Sequence, residues 1–135
     1  MNNLSAKIQY HENPAVSNSD LNVLFKASWP NHQPSDFQAV LAHSLGYVCA
    51  FSNGQLIGFV NLAWDGGIHA FLLDTTVRPD WRKQGIGREL VLHAVNLARR
   101  RGIEWLHVDY EPHLEGFYRG CGFVPTLAGL INLLR

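Results

Sequence analysis

The sequence predicts a mixed α/β fold: a central, mostly antiparallel sheet with one parallel strand pair late in the chain, flanked by helices. Three observations predict it. Two apolar runs, Tyr47–Ser52 and Gln55–Ala63, flank Asn53-Gly54, a dipeptide that tolerates positive φ at both positions and closes a two-residue hairpin. After Gly85 the apolar period changes from about two residues to about 3.6, the mark of an amphipathic helix. That helix separates a strand ending at Arg78-Pro79 from one beginning after Gly102, and such a crossover makes its two strands parallel.

Taken in order, residues 4–10 alternate weakly and read as a first strand, closed by Asn13-Pro14. Ser19 is a good N-cap, and Leu21, Leu24, Phe25 and Ser28 follow at helical spacing until Trp29-Pro30, because the residue before a proline is pushed out of the helical region. A second helix starts after Pro34-Ser35, with Phe37, Val40, Leu41 and Ser44 on one face, and is expected to end near Gly46. The connection Trp29–Pro34 carries two prolines and an aromatic; Trp29 either shapes a binding site or caps the core. Beyond the hairpin, Asp65-Gly66-Gly67 turns the chain into a third long strand, Ile68–Val77. The crossover helix places Ile86, Leu90, Ala94, Leu97, Ala98 and Arg101 on one stripe, and Gly102 closes it. Ile103–Asp109 is the next strand, Leu114–Cys121 a short helix, and two short strands are expected from Phe123 onward, about Ala128-Gly129.

A chain of 135 residues allows one compact domain, and 47% hydrophobic residues against 16% charged are enough to fold it. Lys+Arg and Asp+Glu number 11 each, so no bulk basic field exists to hold nucleic acid or an anionic membrane. Arg99, Arg100 and Arg101 point in different directions around a helix and read as a C-terminal cation cluster rather than a nucleic-acid stripe. Seven histidines show no spacing that would place two ligands on one metal, so no metal is expected. No apolar run approaches the ~18 residues of a membrane span and no basic-then-apolar leader opens the chain. Cys49 and Cys121 read as two thiols of a reducing compartment, which together with the missing leader points to a cytoplasmic protein.

The chemistry concentrates at Arg82-Lys83-Gln84-Gly85-Ile86-Gly87-Arg88, between a strand and a helix. Glycines let the backbone approach a ligand closely, and a helix N-terminus offers unpaired N–H groups and partial positive charge to an anion. Three cationic side chains add to it. No Gly-Lys-Ser/Thr follows, so this is not a nucleoside-triphosphate loop, and Leu90 stands where a dinucleotide-binding loop has its third glycine.

The run from Leu73 to Arg88, with its Arg82-x-x-Gly85-x-Gly87 center, resembles the acyl-CoA-binding motif of the GNAT superfamily of N-acyltransferases, and Phe117-Tyr-Arg-Gly-Cys-Gly-Phe123 resembles its second motif. The resemblance runs from about Ile8 to the end of the chain and implies a GNAT-like fold whose parallel strand pair is splayed apart. It further implies that acetyl-CoA is the co-substrate, with the backbone of Thr75, Thr76 and Val77 pairing with the pantetheine arm and acyl carbonyl. The amides of Lys83, Gln84, Gly85, Ile86, Gly87 and Arg88, with Arg82, would hold the pyrophosphate. Tyr118 matches the tyrosine that protonates the departing thiolate, a group whose pKa of ~8.5 is well matched to a hydroxyl donor. His107 matches a strand position where many relatives carry a catalytic glutamate; it reads as a general base or as a strand histidine hydrogen-bonded nearby. Asp74, Asp109 and Glu111 are the other base candidates. Glu111-Pro112 departs from the family pattern, which often has asparagine there.

The resulting expectation is direct transfer of an acetyl group from acetyl-CoA to a primary amine, in a monomer or homodimer. Two other classes compete with it: a non-catalytic acyl-CoA sensor, and a nucleic-acid module. The charges sharpen the acceptor. Residues 1–77 carry five acids and two bases, residues 78–101 two acids and seven bases, and residues 102–118 four acids and no base. Positive charge lies where CoA would enter, while Asp74, Asp109, Glu111 and Glu115 favor a small cationic amine or an exposed peptide amine, with Trp29 beside it.

Overall fold

The computed structural model describes residues 7–135. Five strands lie side by side in the order they occur in the chain: β1 (Ile8–Glu12), β2 (Ser44–Ser52), β3 (Gln55–Trp64), β4 (His69–Val77) and β5 (Trp105–His107). The first four are antiparallel, and β5 runs parallel to β4. The expected hairpin forms at Asn53-Gly54, where φ is 50° and 78° and Ser52 pairs with Gln55. The first strand starts four residues and ends two residues later than the alternation indicated, and residues 4–6 of the expected strand fall outside the described residues.

Helix α1 (Asn18–Ser28) is capped by Ser17 instead of Ser19: its hydroxyl accepts a hydrogen bond from the Asp20 amide at 3.0 Å. Helix α2 (Phe37–Ala42) is capped by Asp36 and stops four residues short of Gly46. The sheet claims that stretch, since Ser44 pairs with Ala63 and its hydroxyl donates to Asn61 Oδ1. Gly46 is therefore a strand residue beneath a helix. A Cβ there would stand 2.9 Å from both Leu97 methyls, so the glycine permits close helix–sheet approach and does not terminate a helix.

Helix α3 (Ile86–Arg100) buries Ile86, Leu90, Val91, Ala94, Leu97 and Ala98. They pack on Val48, Ala50, Ile57, Val60, Leu62 and Leu72 of the sheet. The opposite face is covered by α1 and α2 through Leu21, Leu24, Phe25 and Phe37, which meet Cys49, Leu56 and Phe59. Alternate strand residues supply the two layers, as the two-residue period requires. Arg101 leaves the apolar stripe by reaching the Leu45 carbonyl at 3.2 Å and lying 5.7 Å from the Trp64 ring center. Arg99 bonds Asn96, and Arg100 pairs with Glu12.

Two features of β4 set up the site. Between Phe59↔Thr76 and Asn61↔Leu73, Asp74 and Thr75 oppose the single residue Val60, which is a β-bulge, and Asp74 takes φ 60° to make it. On the other edge, β5 pairs only as far as Phe71↔His107, so the rest of β4 has no parallel partner. The strand pair is splayed as expected, although β5 holds three residues instead of the seven of Ile103–Asp109.

Helix α4 (Glu115–Gly120) follows a single 3₁₀ turn at Pro112–Leu114. The two short strands expected from Phe123 onward are not formed, because no strand of this chain lies beside them to accept their hydrogen bonds. No helix among the described residues is long and apolar enough to cross a membrane.

Candidate functional site

A cleft of about 480 Å³ opens where β4 loses its parallel partner. The bulge places Thr75, Thr76 and Val77 on its floor. The turn after β4 gives Trp81, Arg82, Lys83, Gly85, Ile86, Gly87 and Arg88, while α4 and its preceding turn give Leu114, Phe117 and Tyr118. Trp29 closes one wall from the end of α1.

One end of the cleft gathers a helix N-terminus and three cationic side chains. Gly85 caps α3 with φ 79° and no side chain bonds the helix's first N–H groups, leaving them to a ligand. Lys83 also takes a left-handed conformation, φ 65°, to bring the loop round. Gly87 faces the Phe117 ring and Val77 at ordinary contact distance, 3.6–3.8 Å from an added Cβ, so the loop lies flat against the cleft. Arg82 Nε donates to the Val77 carbonyl at 3.3 Å, and Arg88 donates to the Gly120 carbonyl at 2.9 Å, tying α3 to α4.

At the other end sits Tyr118. It is buried, stacked on Tyr110 at 4.9 Å and edge-on to Phe117 and Phe123, so three rings fix its direction. Burial raises its phenol pKa above the ordinary value, Thr75 draws it down, and the charges of Cys121 and Asp109 raise it further. The net direction keeps the proton on oxygen at neutral pH. Thr75 Oγ1 is buried beside it, near enough to the phenol to oppose the rise in its pKa but outside full hydrogen-bond geometry, which leaves the hydroxyl capacity toward an occupant of the cleft. Trp29 Nε1 donates to Thr76 Oγ1 at 3.2 Å, and that hydroxyl donates to the Asp74 carbonyl at 2.9 Å, which braces the bulge from outside.

Eleven of the sequence-selected residues thus meet in one cleft: Trp29, Thr75, Thr76, Val77, Arg82, Lys83, Gly85, Ile86, Gly87, Arg88 and Tyr118. Gln84 belongs to the loop but does not line the cleft. Asp74, His107, Asp109 and Glu111 also stand outside its lining. Asp74 sits at the bulge immediately before Thr75; its side is open to water, yet surrounding protein displaces enough solvent to push its carboxyl up. Asp109 is near enough to Tyr118 for its charge to be felt. His107 pairs with Phe71, upstream of the splay, stacks on that ring at 4.6 Å, and shares a 2.8 Å hydrogen bond with His69 Nδ1. Sequence spacing hides that contact, since the two histidines are 38 residues apart.

Sequence reading did not single out Trp81, Leu114 or Phe117 as lining residues. Trp81 and Phe117 lie inside the two motif segments, and an aromatic beside each glycine turn was the available signal. The cysteines offer no nucleophile. Burial pushes the Cys49 thiol up to about 12, and burial raises Cys121 against the opposing pull of Arg88.

The family model described as the acetyltransferase (GNAT) family matches residues 17–123. Serotonin N-acetyltransferase 2, chloroplastic, from Oryza sativa subsp. japonica is 31% identical over 108 residues, covering 76% of this chain and 54% of that protein. The chain spans about half the length of the curated relatives it matches. Among solved structures, a putative acetyltransferase from Deinococcus radiodurans R1 superposes with TM-score 0.80 at 27% identity, covering 98% of this chain and 94% of that one. The aminoglycoside N-acetyltransferase AAC(6')-Iy in complex with CoA has the same fold, with TM-score 0.78 at 19% identity over 98% of this chain and 97% of its own.

Proposed function

The chain belongs to the GNAT acetyltransferase family, and on that premise we propose that it transfers the acetyl group of acetyl-CoA directly to a primary amine. The observation that supports this is one continuous cleft joining the uncapped N-terminus of α3 to the buried, protonated Tyr118. The α3 amides with Arg82, Lys83 and Arg88 hold the CoA pyrophosphate, and the unpaired edge of β4 at Thr75–Val77 takes the pantetheine arm. Thr75 Oγ1, otherwise unsatisfied, gains its partner from the bound thioester.

In the reaction the amine nitrogen bonds to the thioester carbonyl carbon, the carbon–sulfur bond breaks, and the leaving sulfur takes the Tyr118 proton. The amine is mostly ammonium at neutral pH and must first lose a proton. Asp74 serves as that base through an intervening water, since it stands outside the cleft lining but one residue from the acyl-binding edge, and its raised pKa makes it a stronger proton acceptor than an ordinary carboxylate. Asp74 and Asp109 give the acceptor a cationic preference, with Glu111 on the same approach. The rice relative's name points to serotonin, a primary alkylamine attached to an aromatic ring through a short chain, and the aromatic walls of this cleft suit a similar acceptor. The two unlinked thiols accord with a reducing compartment such as the cytoplasm.

The test is CoA release from acetyl-CoA with a panel of aromatic amines, polyamines, aminoglycosides and peptide amines. Release above the rate without amine is expected with a primary amine, and none above that rate with a tertiary amine, which has no N–H proton to lose. Tight acetyl-CoA binding with no thiol release from any primary amine would overturn the reading and leave a binding module.

A further inference from the structure

A second groove opens on the outer flank of α1, and it shares no lining residue with the cleft. Val23, Lys26 and Ala27 lie on one side of the helix at adjacent turns, and the chain from Trp29 to Ser35 folds back to face them with His32, Gln33 and Pro34. Asn22 holds that return in place. Its Nδ2 donates to the Ser35 carbonyl at 2.9 Å, while its Oδ1 accepts from the Ser35 amide at 2.9 Å and lies 2.8 Å from His32 Nε2. The His32 ring in turn packs on Phe25 and Phe37, so this wall is anchored in the core. The space enclosed, about 720 Å³, falls within the ~300–1,000 Å³ of small-molecule sites.

Lys26 and Arg78 line the groove, and no acid among the described residues does. Arg78 enters from the turn after β4, where its amide donates to the Ile57 carbonyl at 2.8 Å. Its Nε engages Asp80 at 3.2 Å, and its terminal nitrogens bond nothing among the described residues. Asp80 is 64% exposed, and a solvated pair of that kind competes weakly for the other edge of the guanidinium. Lys26 Nζ makes one long bond to the Pro30 carbonyl, at 3.4 Å, which leaves most of its donor capacity free. Ser19 adds a hydroxyl on the same flank. Val23, Ala27 and Pro34 make the remaining wall apolar. A planar guanidinium edge matches a carboxylate, whereas an apolar wall offers nothing to a fully hydrated anion such as phosphate.

We propose that this groove binds a small organic carboxylate, with its anionic group on Arg78, Lys26 adding charge, and its apolar body along Val23, Ala27 and Pro34. The groove and the cleft stand back to back. Arg78 directly follows Val77, the Ser28 hydroxyl reaches the Val77 carbonyl at 3.4 Å, and Trp29, two residues beyond Ala27, lines the cleft. Since their linings are separate, the carboxylate and acetyl-CoA can be bound together. The assignment is independent of the proposed activity.

The probes are small organic carboxylates, phenylacetate and hexanoate among them, each with its matched primary amide, titrated into the isotope-labeled full chain and read by amide chemical shifts. At least one acid should saturate at millimolar concentration, with shifts centered on Ser19–Ala27, His32, Gln33 and Arg78. Its uncharged amide should bind on the order of tenfold more weakly, and Arg78→Gln should weaken the acid by a similar factor. Lys26 is exposed on the helix, so Lys26→Gln gives the same reading without touching the turn after β4, and acetyl-CoA binding should be unchanged in it. No shift at these residues with any of the acids overturns the proposal, as do shifts confined to residues 82–88. Equal binding of acid and amide would overturn it by showing that the groove reads only the apolar body, and inorganic phosphate binding as tightly as the acids would overturn it by showing that the apolar wall plays no part.

Discussion

In the proposed reaction, Tyr118 and Asp74 take opposite proton-transfer roles. Both pKa values are raised by burial, but the consequence differs: the phenol stays an acid, and the carboxylate becomes a better base. Tyr118→Phe removes only the hydroxyl from a ring held by three neighbors, so turnover should fall on the order of 10²-fold while acetyl-CoA affinity is unchanged. Steady-state kinetics with a binding titration separates the two; an equal loss of affinity would remove Tyr118 as the acid. Asp74→Asn keeps a residue type at home at φ 60° and should likewise lower kcat/KM on the order of 10²-fold, with the wild type's activity falling as pH drops through the raised carboxyl pKa. Because the folded pKa lies above the unfolded one, this group stabilizes the fold at acid pH and loses that contribution as pH rises through the folded value. Asp74→Asn should therefore raise Tm at neutral pH and not at acid pH, by calorimetry. Tyr118 was legible because it falls in a motif; the crowding around Asp74 was not, since it depends on a bulge that only the register of two strands reveals.

At the scale of elements, two glycines separate stability from ligand binding. Gly58 lies in β3 under α3, where a Cβ would stand 2.8 Å from Leu90 Cδ1, and Leu90 is fully buried. Gly58→Ala should cost about 1–3 kcal/mol through overpacking and lower Tm by several degrees, leaving KM for acetyl-CoA untouched. Gly85 has open space around it but φ 79°, so Gly85→Ala costs about 1 kcal/mol of backbone strain, located at the mouth of α3. There KM for acetyl-CoA should rise while Tm falls by only a few degrees; the opposite pattern for the pair would contradict the proposed anion-binding role of the loop. The helices, the hairpin and the parallel pair were legible because period and turn chemistry are local. Gly46 misled because a glycine that ends a helix and one that lets a helix pack closely look alike in sequence, and Leu97, which decides it, is 51 residues away. The strands expected after Phe123 carry real strand chemistry; what they lack within the chain is a neighbor.

Across the whole molecule, a formal net charge of zero conceals a field with direction. The seven bases of residues 78–101 include Arg82, Lys83 and Arg88 at the anion end of the cleft, while Asp109 of the acidic stretch 102–118 is felt at Tyr118. CoA carries several negative charges and the proposed acceptor one positive charge, so in the proposed reaction each would be drawn toward its own end. Interactions of this kind weaken once salt shortens the screening length to ~8 Å at 0.15 M and further beyond it. KM for acetyl-CoA should rise several-fold between low and high salt, with kcat nearly constant, since the transferring groups are shielded by Thr75, Tyr118 and their aromatic neighbors. A truncated thioester, the acetyl ester of N-acetylcysteamine, has the reacting atoms without the phosphates. Its KM should be higher at every salt concentration yet insensitive to salt, and Lys83→Gln should flatten the salt response of acetyl-CoA while leaving the truncated substrate alone. Equal salt sensitivity for the two thioesters would mean that the basic stretch acts on something other than the phosphates.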